Sequence, residues 1–285
     1  MKGMTVQFLG TGAAEGTPAL FCQCAVCREV RRRGEKEYHT RAQYIIDGTV
    51  GIDFPPDAYY HALRFGVDLS KIEHLLITHS HMDHFYAHDF ILRGYKYCAP
   101  LQTVLTIYGN AEVKKVFEEC TRREMRPDVA EKVQIKEVYP FTRFRFAEYT
   151  ATPLLAQHSQ TETAYVYLLE KGDSVYLHLT DTGRLPTQTL DYLQDWAKNS
   201  GKKVSFITFD CTFLFHTAGE VSRHMGLEDN KAMQEELLRR GVIDEKTKCA
   251  ITHYSHNNNP LSETLERAKI EYGFLPSFDG SEFSF

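Results

Sequence analysis

The sequence predicts a layered α/β or α+β protein, with sheets covered by helices on their outer faces. Three observations carry this. Strand and helix signals alternate from end to end. No Pro/Ser/Gly-rich linker interrupts them. The 285 residues, with 42% hydrophobic and 25% charged content, sit at the globular average. A single core can grow to about 250–300 residues, so residues 1–285 are expected to form one domain.

In chain order, Thr5 to Leu9 is a short β run that ends in the turn-rich stretch Gly10 to Pro18. Gln43 to Ile46 and Val50 to Ile52 flank Asp47-Gly48-Thr49, a hairpin signal. Asp57 to Phe65 has helical character after Pro55-Pro56. His74 to Ile77 is a compact apolar strand that leads into a histidine run, and Phe85 to Tyr95 reads as a helix after it. A strand at Val104 to Tyr108 and a helix at Ala111 to Glu119 follow. The second half continues with strands at Tyr165 to Glu170, Ser174 to Leu179, Val204 to Phe209 and Cys249 to Thr252. Between them, Leu185 to Ala197 is helical, with Trp196 as a core anchor, and Lys231 to Arg240 is amphipathic with Gly241 as its stop.

Composition excludes several classes. A net charge of −5 gives no broad cationic field for phosphate backbones, so long nucleic acids are disfavoured partners. The basic run Arg28 to Arg33, with Glu29 and Glu35 beside it, reads as a solvated helix face. No stretch approaches the roughly 18 apolar residues of a membrane span, and Met1 to Gly10 lacks a signal-peptide pattern. A cytoplasmic protein is expected. The seven cysteines fit a reducing compartment: Cys22, Cys24 and Cys27 cluster, while Cys98, Cys120, Cys211 and Cys249 are scattered. The turn Gly10 to Gly16 lacks the Gly-Lys-Ser/Thr ending of a nucleotide P-loop.

The chemistry concentrates in His79-Ser80-His81-Met82-Asp83-His84, where three imidazoles and a carboxylate fall within six residues. All four suit Zn²⁺, Mn²⁺ or Fe²⁺. A loop can turn His79 and His81 to one ion and Asp83 and His84 to a second, an arrangement suited to displacement at phosphorus. A loop following a buried strand is also held by a rigid scaffold while facing a cleft.

This run resembles the H-x-H-x-D-H signature of the metallo-β-lactamase superfamily, and other ligand segments follow in that family's order. Leu155-Ala156-Gln157-His158-Ser159 resembles the third-histidine segment, Leu179-Thr180-Asp181-Thr182-Gly183 the bridging-carboxylate segment, and Ile251-Thr252-His253 the last-histidine segment. The resemblance implies an α+β, four-layer αβ/βα sandwich with two divalent metal ions. By it, His79, His81 and His158 hold one ion, Asp83, His84 and His253 the other, and Asp181 both. The pattern Cys22-x-Cys24-x-x-Cys27 with the late Thr252-His253-Tyr254-Ser255-His256 is similar to the PhnP-like phosphodiesterases of the same fold. It implies a structural zinc on Cys22, Cys24, Cys27 and His256, carried by an inserted segment near residues 18–40. The pyrroloquinoline quinone biosynthesis protein of this fold shares the cysteines, but the complete H-x-H-x-D-H set here disfavours it. Ile52-Asp53-Phe54-Pro55-Pro56 departs from the better-known members, and with Phe213 to Arg223 it is expected to reshape the substrate pocket.

The function implied is a metal-dependent phosphodiesterase acting on small, cyclic phosphodiesters, with water activated between two ions. Asp83 belongs to its catalytic machinery. His224 resembles the family's non-ligand histidine and is expected to act as general acid. Asp53 and Asp210 are expected to orient ligating imidazoles, and His88 to face solvent. A thiolesterase, a lactonase, a ribonuclease Z-like enzyme or a non-catalytic metal binder are the alternatives. A homodimer is left open.

Overall fold

The computed structural model describes residues 3–99, 101–219 and 221–285. The strands are β1 (Thr5–Gly10), β2 (Gln43–Ile46), β3 (Val50–Ile52), β4 (His74–Leu76), β5 (Leu105–Gly109), β6 (Val133–Glu137), β7 (Phe144–Phe146), β8 (Tyr149–Leu155), β9 (Tyr165–Lys171), β10 (Ser174–Leu179), β11 (Phe206–Asp210), β12 (Lys248–Thr252), β13 (Leu275–Pro276) and β14 (Glu282–Ser284). They form two seven-stranded sheets among the described residues, ordered β14-β1-β2-β3-β4-β5-β6 and β13-β12-β11-β10-β9-β8-β7. Both are mixed. Strands β3 to β6 run parallel, as do β10 to β13, while the β1–β2–β3 and β7–β8–β9–β10 pairings are antiparallel.

Side-chain alternation decides which face each residue takes. On β9, Tyr165, Tyr167 and Leu169 join Tyr44, Ile46 and Phe8 of the other sheet in a core between the two sheets, while Val166 and Leu168 face outward. The outer face of each sheet is covered by helices. In chain order the helices are α1 (Ala25–Arg33), α2 (Ala58–Phe65), α3 (Ala111–Thr121), α4 (Pro127–Ala130), α5 (Thr187–Ser200), α6 (Leu227–Arg239) and α7 (Ser262–Tyr272). Leu193 and Trp196 of α5, Met233 and Leu237 of α6, and Leu265 of α7 pack on Leu177, Ile207 and Ile251. Val113 and Phe117 of α3 cover the first sheet against Leu75 and Ile107. The layers therefore run helix, sheet, sheet, helix, the α+β sandwich expected.

Two expectations need correction. The helix expected over Phe85 to Tyr95 is a 3₁₀ segment, Ala87–Arg93. Phe54 pairs with the chain at this point, donating its N–H to His84 O and accepting from Tyr86 N–H, so no helix begins before residue 87, and the run that follows takes the tighter 3₁₀ form. Nor is the basic run wholly solvated. Arg32 is exposed, but Arg33 makes two 2.7 Å contacts with Glu263 and ties α1 to α7.

The strand ends place the chemistry. β3, β4, β8, β10, β11 and β12 deliver Asp53, His79, His158, Asp181, Asp210 and His253 at or shortly beyond their C-termini. Loops held by two packed sheets converge there, which is where α/β architectures keep their ligand sites.

Candidate metal centre

His79, His81 and His158 come together with ligand atoms within 4.8 Å of one another, and so do Asp83, His84, Asp181 and His253. In the first group three ring nitrogens point at one spot. His79 Nε2 lies 2.8 Å from His81 Nδ1, which lies 3.3 Å from His158 Nε2. The opposite ring atoms explain their direction. His79 Nδ1–H donates to Thr78 Oγ1 at 3.0 Å, and His158 Nδ1–H donates to Arg223 O at 3.3 Å. These partners leave each Nε2 lone pair facing the centre.

The second group is built the same way. His84 Nδ1–H donates to Asp53 Oδ2 at 2.6 Å, which turns Nε2 toward Asp181 Oδ2 at 3.1 Å and Asp83 Oδ2 at 3.2 Å. His253 Nδ1–H donates to Thr212 Oγ1 at 2.9 Å, and that hydroxyl reaches Asp210 Oδ1, also at 2.9 Å. His253 Nε2 then sits 2.9 Å from Asp181 Oδ1. His253 takes φ 65°, a left-handed conformation that the flanking contacts must hold in place.

Despite these short approaches, His84 Nε2, His253 Nε2 and Asp181 Oδ1 are buried and make no hydrogen bond. Such orphaned polar atoms are costly unless something else satisfies them. The charges tell the same story. Burial works against a charge on His84, yet Asp181, Asp83 and Asp53 outweigh it and hold its pKa well above the ordinary imidazole range. Burial opposes the charge on Asp181 too, and His253 with His84 pulls its pKa well below that of a free carboxylate. The cluster thus calls for positive charge amid converging lone pairs. A divalent cation fits both demands.

Asp181 Oδ2 also lies 3.9 Å from His158 Nε2, so its carboxylate stands between the two groups. Gly183 makes that placement feasible: a Cβ there would stand 1.9 Å from Ser222 O, so no other residue lets the two loops pass.

A cavity of about 450 Å³ opens onto this cluster, with Phe213, Arg223, His224 and Asn258 in its wall. Phe213 and Arg223, the two ends of the segment singled out in the sequence, thus line the cavity. Phe54 does not. It lines a separate apolar cavity of about 240 Å³ behind the first sheet. His224 donates Nδ1–H to Asp210 Oδ2 at 2.8 Å. Burial works against its charge, but the Asp210 carboxylate, helped by Asp181, more than offsets this and lifts the pKa to about 9. His88 is exposed.

At the N-terminal side, Cys22, Cys24, Cys27 and His256 form another group within 4.8 Å. His256 Nδ1 lies 3.5 Å from Cys24 Sγ and 3.4 Å from Cys27 Sγ. Cys24 caps the N-terminus of α1, and chiefly through the Cys27 N–H its thiol is brought down to about 6. Thiolate character at such a position suits metal binding.

Sequence reasoning missed several supporting residues. Glu162 accepts from Ser80 N–H at 3.0 Å, Ser80 Oγ at 2.7 Å and Asn110 Nδ2 at 2.8 Å, clamping the 79–84 loop to the loop that carries His158. Nothing local signals this contact across 82 positions. Thr78 and Thr212 were findable, since each adjoins a singled-out residue and a hydroxyl there can relay between imidazole and carboxylate.

Residues 50–235 match the family described as the beta-lactamase superfamily domain. The chain belongs to this superfamily of metal-dependent hydrolases. A crystal structure of a new diphosphatase from the PhnP family is similar to it with a TM-score of 0.73 and 22% identity, covering 99% of this chain and 98% of that one. Zn²⁺-bound PqqB from Methylobacterium extorquens gives a TM-score of 0.68 at 15% identity, over 99% and 100% of the two chains. At these identities the likeness is one of fold: the metallo-β-lactamase fold, which implies divalent metal binding. Among curated proteins, an octanoyltransferase of Porphyromonas gingivalis is 27% identical over 164 residues, 53% of this chain. The chain spans 30% of that relative's length. No helix among the described residues is long and apolar enough to cross a membrane.

Proposed function

We propose that the chain is a phosphodiesterase acting on small phosphodiesters, cyclic ones included, with two divalent ions in the His/Asp cluster. The observation that carries this is Asp181, whose carboxylate stands between two converging ligand groups while a proton-bearing imidazole, His224, faces the same cavity. His79, His81 and His158 would hold one ion and Asp83, His84 and His253 the other, with Asp181 shared. Ions bound there would polarise the phosphoryl oxygens and lower the pKa of an attacking water toward neutrality. The chain's own contribution is orientation and a proton. Asp53, Thr78 and Thr212 fix the imidazole tautomers, and His224, anchored by Asp210, offers Nε2–H to the departing alkoxide.

That proton favours a phosphodiester over a thioester, since a thiolate leaves without protonation and an alkoxide does not. The PhnP-family diphosphatase supports a phosphoryl substrate. The cavity's size and the net charge of −5 favour a small substrate over a long nucleic acid. Seven free thiols are in keeping with a reducing, cytoplasmic setting. The test is turnover of bis(4-nitrophenyl) phosphate: we expect it to vanish after chelation and return with Mn²⁺ or Zn²⁺. Turnover indifferent to chelation rejects the reading, as does metal-dependent turnover of a thioester or lactone alone.

We further propose that Cys22, Cys24, Cys27 and His256 hold a structural zinc, with tetrahedral Cys₃His ligation. His256 follows His253 by three residues, so the zinc would anchor the segment that aims His253. His256→Ala is expected to lower the zinc content by one ion per chain and the melting temperature with it. An unchanged zinc count by elemental analysis would remove this site.

A further inference from the structure

We infer that Glu15 is a specificity-determining residue, a fixed acceptor that selects phosphodiesters carrying a free hydroxyl on the organic group. The inference rests on the phosphodiesterase reading. The turn from Gly10 to Gly16 runs beside the His253 segment, with Tyr254 N–H donating to Thr11 O and Ala13 N–H to Tyr254 O, each at 2.9 Å. This brings Glu15 into the wall of the metal cavity. Its Oε1 accepts from Ser255 Oγ at 2.5 Å, which fixes the carboxylate. Among the described residues its second oxygen, Oε2, meets no donor, and the side chain is 35% exposed where it lines this cavity and a neighbouring one. Outside the His/Asp cluster, the other polar side chains of that wall, such as Arg223, His224 and Asn257, can donate.

A lone carboxylate on the lip of a site for an anion repels its substrate unless the substrate brings a donor to it. A hydroxyl does so, turning repulsion into a charge-assisted hydrogen bond. A site with a placed acceptor rejects analogues that lack the donor far more strongly than an apolar pocket rejects a missing methylene.

Uridine 5′-(4-nitrophenyl phosphate) and its 2′,3′-dideoxy counterpart share a leaving group and differ only in hydroxyls. The wild-type protein is expected to prefer the hydroxylated ester by about 10- to 100-fold in kcat/KM. Glu15→Ala should abolish that preference by slowing the hydroxylated ester and, with the repulsion gone, speeding the dideoxy ester by a few-fold, and Glu15→Gln, which keeps an acceptor oxygen, should retain part of it. Equal wild-type rates on the two esters, or an equal loss on both in Glu15→Ala, would overturn the assignment. So would loss of thiolate-bound zinc in Glu15→Ala, since the Glu15 Oε1 to His256 Nε2 distance of 3.9 Å would then mark a role exerted through that site. Failure of the wild-type protein to turn over either ester rejects the phosphodiesterase reading itself, and this inference with it.

Discussion

Asp181→Ala is expected to reduce kcat/KM for a phosphodiester by about 10³- to 10⁴-fold and to strip the His/Asp cluster of at least one ion. Its carboxylate reaches both ligand groups: its two oxygens lie 2.9 Å from His253 Nε2 and 3.1 Å from His84 Nε2, with His158 Nε2 at 3.9 Å. Without it, His84 and His253 face each other across a gap, and Asp83 is left as the carboxylate of that group. Several kcal/mol of transition-state charge stabilisation depend on an ion held there. Asp181→Asn separates shape from charge. The amide fills the same space but cannot balance a shared pair of cations, so an intermediate loss is expected. Elemental analysis alongside kinetics is the check, and zinc at the cysteine cluster serves as an internal control that should not change. A variant with full metal occupancy and a rate within about tenfold of wild type would mean that Asp181 does not bridge two ions.

Much of this site was legible in the sequence because ligand density is local. The run from His79 to His84 needs only that one loop follow one buried strand, and β4 supplies it. Asp181 and His253 each follow a strand that could be read from its apolar run, and His158 precedes another, so the order of segments carried over to the order of sites; β8, which leads to His158 and carries Pro153, was not read. The hairpin at Asp47-Gly48 was equally plain, with φ 48° and 75° at its two turn residues. What could not be read depends on distant pairing. Glu162 matters only because the β8–β9 loop lies against the 79–84 loop, and Arg33 only because α1 lies beside α7. Edge strands such as β6 (Val133–Glu137), with only two apolar residues between Lys and Glu neighbours, and the three-residue β14 (Glu282–Ser284) are too short and too polar to stand out from loops. Their register is set by the sheet they join.

His224→Ala is expected to lower the rate on a diester with a poor alkoxide leaving group by about 10²- to 10⁴-fold, while the rate on a 4-nitrophenyl ester falls by less than about tenfold, because 4-nitrophenolate leaves without a proton. The competing role is that of a metal ligand, since His224 lies with Asp181, Asp210 and His253 within 4.8 Å. Its Nδ1 bonding matches that of the ligand candidate His84, which donates to Asp53 in the same way, so the pairing serves either role. Nδ1 is committed to Asp210 Oδ2 at 2.8 Å, and Asp210 is itself held by Thr212 N–H and Oγ1, at 3.0 and 2.9 Å. The metal content of His224→Ala separates the two roles: a general acid can be removed with the ions in place, a ligand cannot. The pH profile follows from the same pair. With a pKa lifted from 6.5 to about 9, the acid form predominates at neutral pH, and the alkoxide reaction should slow as pH rises through the alkaline arm. Divalent ions beside it would draw that arm below 9 by their own charge. In His224→Ala the arm should disappear while both active-site ions remain. Loss of an ion in this variant, or an equal slowing of good and poor leaving groups, would return His224 to the ligand shell and leave the alkoxide to take its proton from water.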